Sequence, residues 1–445
     1  MTITLPDKVK YIIGVLEASG HEAFAVGGCV RDSILGRQPG DWDITTSASP
    51  NEVKGLFHKT VDTGIQHGTV TVMAGKEGFE VTTYRIDGEY EDCRHPREVT
   101  FTSDLEEDLK RRDFTINAMA YNESHGLVDI FGGVRDLERQ IIRCVGDPVH
   151  RFTEDALRMM RAVRFSAQLG FGIEDGTRAA VTQLAQSLKG ISAERIQAEL
   201  VKILISGHPE EMRTVYETGM SRVFLPEFDD MMQTPQNNPF HCYNVGEHTI
   251  AAMQNIRSDK VLRLTMLLHD VAKPACKKMD SAGIFHFYGH AEAGAEMARM
   301  ILRRLKFDND TISRVTALVT WHDSLPDLKE ASVRRAIHRV GLLQYPALFE
   351  VARADAMAKS NYQREEKLAQ IHRYQEIYEG IMAKRQCLTV RDLAVTGNDL
   401  IALGMKPGKG IGSMLQDLLM HVLEHPEDNT PEILLNLAER QQKPE

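Results

Sequence analysis

The chain has 445 residues, a formal net charge of −10 and 42% hydrophobic residues. At about 150 residues per domain this length implies roughly three domains, with enough apolar material for a sizeable core. The acidic balance excludes a nucleic-acid binder that relies on a global basic field, so any such contact must come from local Lys/Arg patches.

Six cysteines, at 29, 93, 144, 242, 276 and 387, form no C-x-x-C pair, which argues against a disulfide framework or a zinc finger. No apolar run approaches the ~20 residues of a membrane span. The first residues lack a signal-peptide pattern, and a cytoplasmic protein is expected.

In chain order, residues 6–20 predict an amphipathic helix, with Val9, Ile12, Ile13 and Leu16 on one face. Phe24-Ala25-Val26 reads as a strand that breaks at Gly27-Gly28 and turns into a short helix closed by Gly36. Paired glycines let a backbone approach a phosphate closely, and a helix start offers free N–H groups. Asp41 and Asp43 follow, two apart in a strand-like run, so both carboxylates face one way. That arrangement suits Mg²⁺ clamping a triphosphate. Residues 60–87 predict a hairpin whose return strand puts Glu80, Thr82 and Tyr84 on one face. Glu80 is either a third carboxylate beside Asp41 and Asp43 or an exposed strand residue. Residues 88–104 read as a polar loop. Beyond it, Lys110-Arg111-Arg112 runs into an apolar segment, which makes Arg112 a candidate phosphate or ribose ligand.

Four ordered motifs occupy the first 165 residues. They are Gly27-Gly28-x-Val30-Arg31-Asp32, Asp41-x-Asp43, Arg111-Arg112-Asp113-Phe114-Thr115-Ile116-Asn117-Ala118, and Glu154-Asp155-Ala156-Leu157-Arg158 continuing through Arg161 and Arg164. Together they resemble the class II nucleotidyltransferases, the tRNA CCA-adding enzymes and bacterial poly(A) polymerases. The similarity continues through Ile191-Ser192-Ala193-Glu194-Arg195. The resemblance implies that Gly28, Arg31, Asp41 and Asp43 hold metal and triphosphate. It places Arg112 on the ribose side and Asp155, Arg158, Arg161 and Arg164 with the incoming base.

Base choice also follows from chemistry. Asp155 and Arg158, three apart on a helix, are neighbours. A carboxylate beside a guanidinium presents an acceptor next to donors. Cytosine and adenine both offer an amino donor beside a ring-nitrogen acceptor; uracil and guanine offer the reverse. The wrong bases would leave buried polar groups unpaired, at a cost of a few kcal/mol. One Asp–Arg pair therefore selects C and A without a nucleic-acid template. The stretch Val61–Val70 resembles the CCA-adding side. The loop residues Asp92, Arg94 and Pro96 resemble relatives that add the terminal A. Enzymes that add only A or only CC, a poly(A) polymerase, or a phosphohydrolase whose head only docks RNA are the alternatives.

Histidines then accumulate at 241, 248, 269, 290 and 322, with Asp270 beside His269 and Asp355 later. This pattern resembles the HD superfamily of metal-dependent phosphohydrolases. The resemblance implies His248, His269, Asp270 and Asp355 as ligands, with His290 and His322 as further candidates. His/carboxylate sets suit Mn²⁺ or Ni²⁺, which would activate water against a phosphoester. His241 and His286 are expected to be surface or core residues. Near the C-terminus, Lys406 and Lys409 sit among glycines before a helix, similar to family tails that hold tRNA.

The expected fold class is α+β. A mixed-sheet, polymerase β-like head (1–140) precedes an all-α neck and body (141–235), an HD-type domain (236–360) and a tRNA-binding tail (361–445). Expected partners are tRNA, CTP and ATP, with no membrane and no obligate protein partner.

Overall fold

The computed structural model of the chain describes residues 2–88, 99–237 and 240–442. Asp92, Arg94 and Pro96 lie outside the described residues. The chain divides into two compact units, residues 1–226 and 227–445.

The first unit is built on a seven-stranded mixed sheet. Its strands are β1 (Ala23–Val26), β2 (Ile44–Thr46), β3 (Thr60–Gly64), β4 (Thr69–Ala74), β5 (Glu77–Thr83), β6 (Ala120–Asn122) and β7 (Gly126–Val128). The spatial order is β3-β4-β5-β2-β1-β6-β7. The central strand β1 is buried along its whole length and pairs antiparallel with both β2 and β6, whereas β2 runs parallel to β5. A strand of four small or apolar residues, Ala-Phe-Ala-Val, is what a position buried on both faces requires. Phe24, Val26, Tyr84, Leu109 and Ala120 pack together in the core. Helix α1 (Asp7–Ala18) buries Val9, Ile12, Ile13 and Leu16, the stripe its periodicity predicts. The predicted hairpin is β4 and β5, joined through Gly75 in the left-handed region.

Two local expectations need correction. Asp41 and Asp43 precede β2 rather than lie in it, because the first β2 residue is Ile44. Asp43 is still held at the sheet, since its carbonyl accepts the Val26 N–H at 3.0 Å. The flanks of the polar loop, residues 85–87 and 99–101, pair antiparallel.

The rest of the first unit is helical. Helix α2 (Gly28–Ile34) follows the glycine turn, α3 (Leu157–Leu169) carries the arginine series, and α4 (Ala193–Leu204) carries Arg195 and Glu199. The second unit is almost wholly helical among the described residues. Helices α5 (Val245–Gln254), α6 (Lys260–Leu268), α7 (His290–Arg304), α8 (Asn309–Trp321), α9 (Tyr345–Ala358) and α10 (Arg364–Ala383) surround the histidine cluster. No helix among the described residues is long and apolar enough to cross a membrane.

Candidate active site and metal centre

The glycine turn is held by its backbone. Gly27 has φ 82° and ψ −128°, a conformation that L side chains rarely adopt. A Cβ there would also meet an Arg112 guanidinium nitrogen at 3.0 Å. Gly27→Ala is therefore expected to cost about 1–2 kcal/mol, from positive φ alone, and to shift Arg112. A thermal melt reads the stability loss.

Behind the turn, Arg31 is buried and braced. It donates to Asp32 at 2.9 Å and to the Asn117 side-chain oxygen at 2.8 Å. Arg112 faces the same region and pairs with buried Asp108 at 3.6 Å; its Nε is buried without a partner. Asp43 carries an exposed residue surface, yet desolvation of its carboxyl raises it to about 6, and Asp41 and then Glu80 add to the rise while Arg112 opposes it. Asp41, Glu80 and Arg112 are thus all close enough to act on Asp43 electrostatically. Converging carboxylates that repel one another gain when a divalent cation joins them.

The neck side is an arginine cluster around one ring. Arg31, Arg161 and Arg164 lie 5.1, 5.5 and 4.1 Å from the Phe165 centroid. Asp113 accepts from Arg161 at 2.7 Å, from Asn117 at 3.2 Å and from the Phe114 N–H at 2.9 Å. Burial pushes the Asp113 carboxyl up, but Arg161 and Asn117 outweigh it and hold it down at about 2, against an ordinary 3.8. A carboxyl depressed on folding stabilises the fold above its unfolded value, and that stability is lost as pH falls through the folded one. Asp113→Asn is expected to lose about 2 kcal/mol at neutral pH. Urea titrations across pH should show the gap from the native chain closing between pH 3.8 and about 2.

Arg164 pairs with Glu199 at 3.1 Å in a buried contact that lacks hydrogen-bond geometry at its Nε, and burial lowers its guanidinium to about 10.

The Asp155–Arg158 geometry departs from expectation. A short helix, residues 148–154, ends at Asp155, which is extended at φ −140°, and α3 starts at Leu157. The carboxylate of Asp155 caps the Leu157 N–H at 3.0 Å and pairs with Arg195 at 2.8 Å. Arg158 instead pairs with Glu154 at 2.5 Å and donates to the carbonyls of Arg111 and Arg151. The chain breaks at Asp155 because its own side chain competes for the N-terminal donors of the next helix. A second amino group of Arg195, Nη1, is buried without a partner.

In the second unit the structure brings together all six HD-type candidates. His248 Nε2 lies 3.2 Å from His269 Nε2, 3.0 Å from Asp355 Oδ1 and 3.5 Å from Asp270 Oδ2. His290 and His322 Nε2 lie 3.5 and 3.7 Å from Asp270 Oδ1. Each of the four rings turns Nδ1 to a backbone carbonyl: Ala358, Met266, Phe287 and Val319 for His248, His269, His290 and His322. That fixes the tautomers and leaves four Nε2 lone pairs facing two carboxylates. Lone pairs crowded at 3.2 Å fit a cation between them. Among the described residues, His248-His269-Asp270 and Asp270-His290-His322 are the groups whose ligand atoms all lie within 4.8 Å. Burial raises Asp270 and Asp355, but His269 with Lys273, and Lys359 with His248, hold them well below the carboxylate range. His241 and His286 are in neither group; His286 pairs with Asp280 at 2.8 Å.

The sequence does not single out Glu154, Asp113, Glu199, Phe165 and Asn117, although Glu154, Asp113 and Asn117 stand inside the quoted motifs and Phe165 directly follows Arg164. Glu199 lies one helical turn past Arg195 and carries no motif signal.

A mixed sheet with a glycine turn, a D-x-D segment and an arginine-lined neck defines a template-independent nucleotidyltransferase head. The family model described as "Poly A polymerase head domain" matches residues 23–143. "Probable RNA and SrmB- binding site of polymerase A" matches 170–232, and tRNA nucleotidyltransferase domain 2 matches 282–438. A CCA-adding enzyme of Levilactobacillus brevis is 36% identical over 424 residues, covering 94% of this chain and 93% of that one. One from Lactobacillus helveticus is 51% identical over 227 residues, covering 50% of this chain and 57% of the relative. The Bacillus stearothermophilus CCA-adding enzyme in complex with CTP superposes with a TM-score of 0.73 at 30% identity, over 99% of this chain and 98% of that one. The chain belongs to the CCA-adding enzyme family.

Proposed function

We infer that the chain adds C and A to the 3′ end of tRNA from CTP and ATP, without a nucleic-acid template, and releases pyrophosphate. The carrying observation is that Arg31, behind the glycine turn, meets Arg161 and Arg164 of α3 on one ring, Phe165, so the glycine turn and the arginine series share one site. The CTP complex of the Bacillus stearothermophilus relative, similar along almost its whole length, supports the nucleotide class. We place the four-part division and the base-reading roles on the same reading.

Asp41 and Asp43 would hold Mg²⁺, which supplies charge neutralisation at the α-phosphate when bound. The tRNA 3′-oxygen forms the new bond to that phosphorus while the bond to the β-phosphate bridge breaks. Gly28 leaves the phosphates room, braced Arg31 sets the floor, and Arg112 faces the ribose. Asp155, aligned by Arg195, presents an acceptor, and Arg158, aligned by Glu154, presents donors. Arg161 and Arg164, braced on the buried Phe165 ring, lie with the incoming base. Among the described residues the cysteines at 29, 144, 242, 276 and 387 are free thiols, which fits a cytosolic enzyme.

A second activity, metal-dependent phosphohydrolysis, is favoured by the four convergent Nε2 atoms. His248, His269, Asp270 and Asp355 would hold Mn²⁺ or Ni²⁺, with His290 and His322 completing a second position, and such an ion activates water against a phosphoester.

Two assays separate the activities. Labelled CTP with a tRNA lacking its terminal CCA tests the first; an absence of pyrophosphate release overturns it. Hydrolysis of 2′,3′-cyclic AMP with Mn²⁺ or Ni²⁺ tests the second, and a chain inert with both metals overturns that reading.

A further inference from the structure

Beside the histidine cluster lies a second cavity of about 610 Å³. It shares His241 and Lys359 with the pocket of about 400 Å³ that contains Asp270, His290, His322 and Asp355. Its wall carries Lys359, Arg364, Lys367 and Arg373 against one carboxylate, Glu366. This excess of cations stands out in a chain of net charge −10. Lys359 is committed to Asp355 at 2.6 Å, and Arg364 donates to the Lys359 carbonyl. The side chains of Lys367 and Arg373 have no hydrogen bond or ion pair among the described residues.

Two further observations point to a ligand. Arg364 Nε and His241 Nδ1, both on this wall, are buried without a partner. Buried polar groups left in that condition are rare and call for something to bind them. The rim also carries an aromatic pair. Phe240 and Tyr362 meet edge to face with centroids 5.1 Å apart, and each keeps a large exposed surface, 44% and 54%.

Cations for phosphates beside aromatic faces for bases are the two things single-stranded nucleic acid needs. We propose that this cavity binds the penultimate nucleotide of an RNA strand, while the terminal nucleotide and its 3′ phosphate lie in the histidine pocket. The proposal rests on the phosphohydrolase reading and names its substrate class. A mononucleotide would occupy the histidine pocket and leave Arg373, Lys367 and Tyr362 without work, whereas an RNA end uses both chambers. In the reaction a water oxygen bonds to phosphorus and one P–O ester bond breaks. The departing oxygen takes a proton, so a cyclic phosphate becomes a monoester and a terminal monoester yields inorganic phosphate and a free hydroxyl.

The test uses the full chain with Mn²⁺ and two substrates, 2′,3′-cyclic AMP and a pentanucleotide RNA ending in a 2′,3′-cyclic phosphate. The pentanucleotide should show the lower KM. Tyr362→Ala and Arg373→Glu should each raise its KM about tenfold relative to the mononucleotide's, the equivalent of one stacked base or phosphate contact. A parallel readout needs no turnover: the pentanucleotide carrying 4-thiouridine at its penultimate position is photo-crosslinked and the peptide mapped. Crosslinks to the Phe240 or Tyr362 peptides without hydrolysis would keep the subsite and remove the hydrolase reading. Hydrolysis with equal KM ratios in all variants, or crosslinks elsewhere, would overturn the subsite and leave the hydrolase reading standing.

Discussion

Asp43→Ala is expected to lower addition of both C and A by about 10³-fold, an effect of the size seen when a preorganised electrostatic contact to a transition state is removed. The fold should survive. Asp43 meets the sheet through its carbonyl, which accepts from Val26, and alanine keeps that bond. Its carboxyl sits raised to about 6, pushed first by desolvation and then by Asp41, so its removal relieves rather than creates strain. The melting temperature should therefore stay level or rise while single-turnover addition to a tRNA transcript collapses. Addition within tenfold of the native chain would show that this carboxylate does not carry the chemistry.

Asp155→Ala is expected to spoil selection instead. Without the acceptor, uracil and guanine no longer meet like against like, and the discrimination of C and A over U and G should fall roughly 10²-fold. Because Asp155 is held by Arg195 and not by Arg158, Arg195→Ala should move the same ratio by a smaller factor, with Glu154→Ala acting through Arg158. Competition of all four nucleotides for one primer reads these ratios directly. Asp155→Ala that lowers all four rates equally would assign Asp155 to structure alone.

Much of the head was legible because its elements are short and locally determined. The α1 stripe, the β4–β5 hairpin with Gly75 and the glycine turn at Gly27 each follow from residues within a few positions of one another. The order of strands was not legible. It depends on β1 pairing with β6 nearly a hundred residues later, a contact set by packing and not by pattern. The i,i+3 rule placed Asp155 against Arg158, but it assumes an unbroken helix. Asp155 is itself a strong capping residue and ended one helix to start the next, so its carboxylate became free for Arg195. In the second unit the ligand residues could be picked out as a pattern. Three of the four Nδ1 contacts are local, each to the carbonyl three residues back, whereas the contact of His248 with Ala358 spans 110 residues and depends on where α9 ends, which no local pattern carries.

The central claim is that one chain builds C, C and A in sequence. Three tRNA transcripts, ending before CCA, after the first C and after the second C, are each incubated with each labelled nucleotide. C is expected on the first two, A on the third and no U or G on any. Incorporation of A onto the third transcript only, with no C on the others, would contradict it.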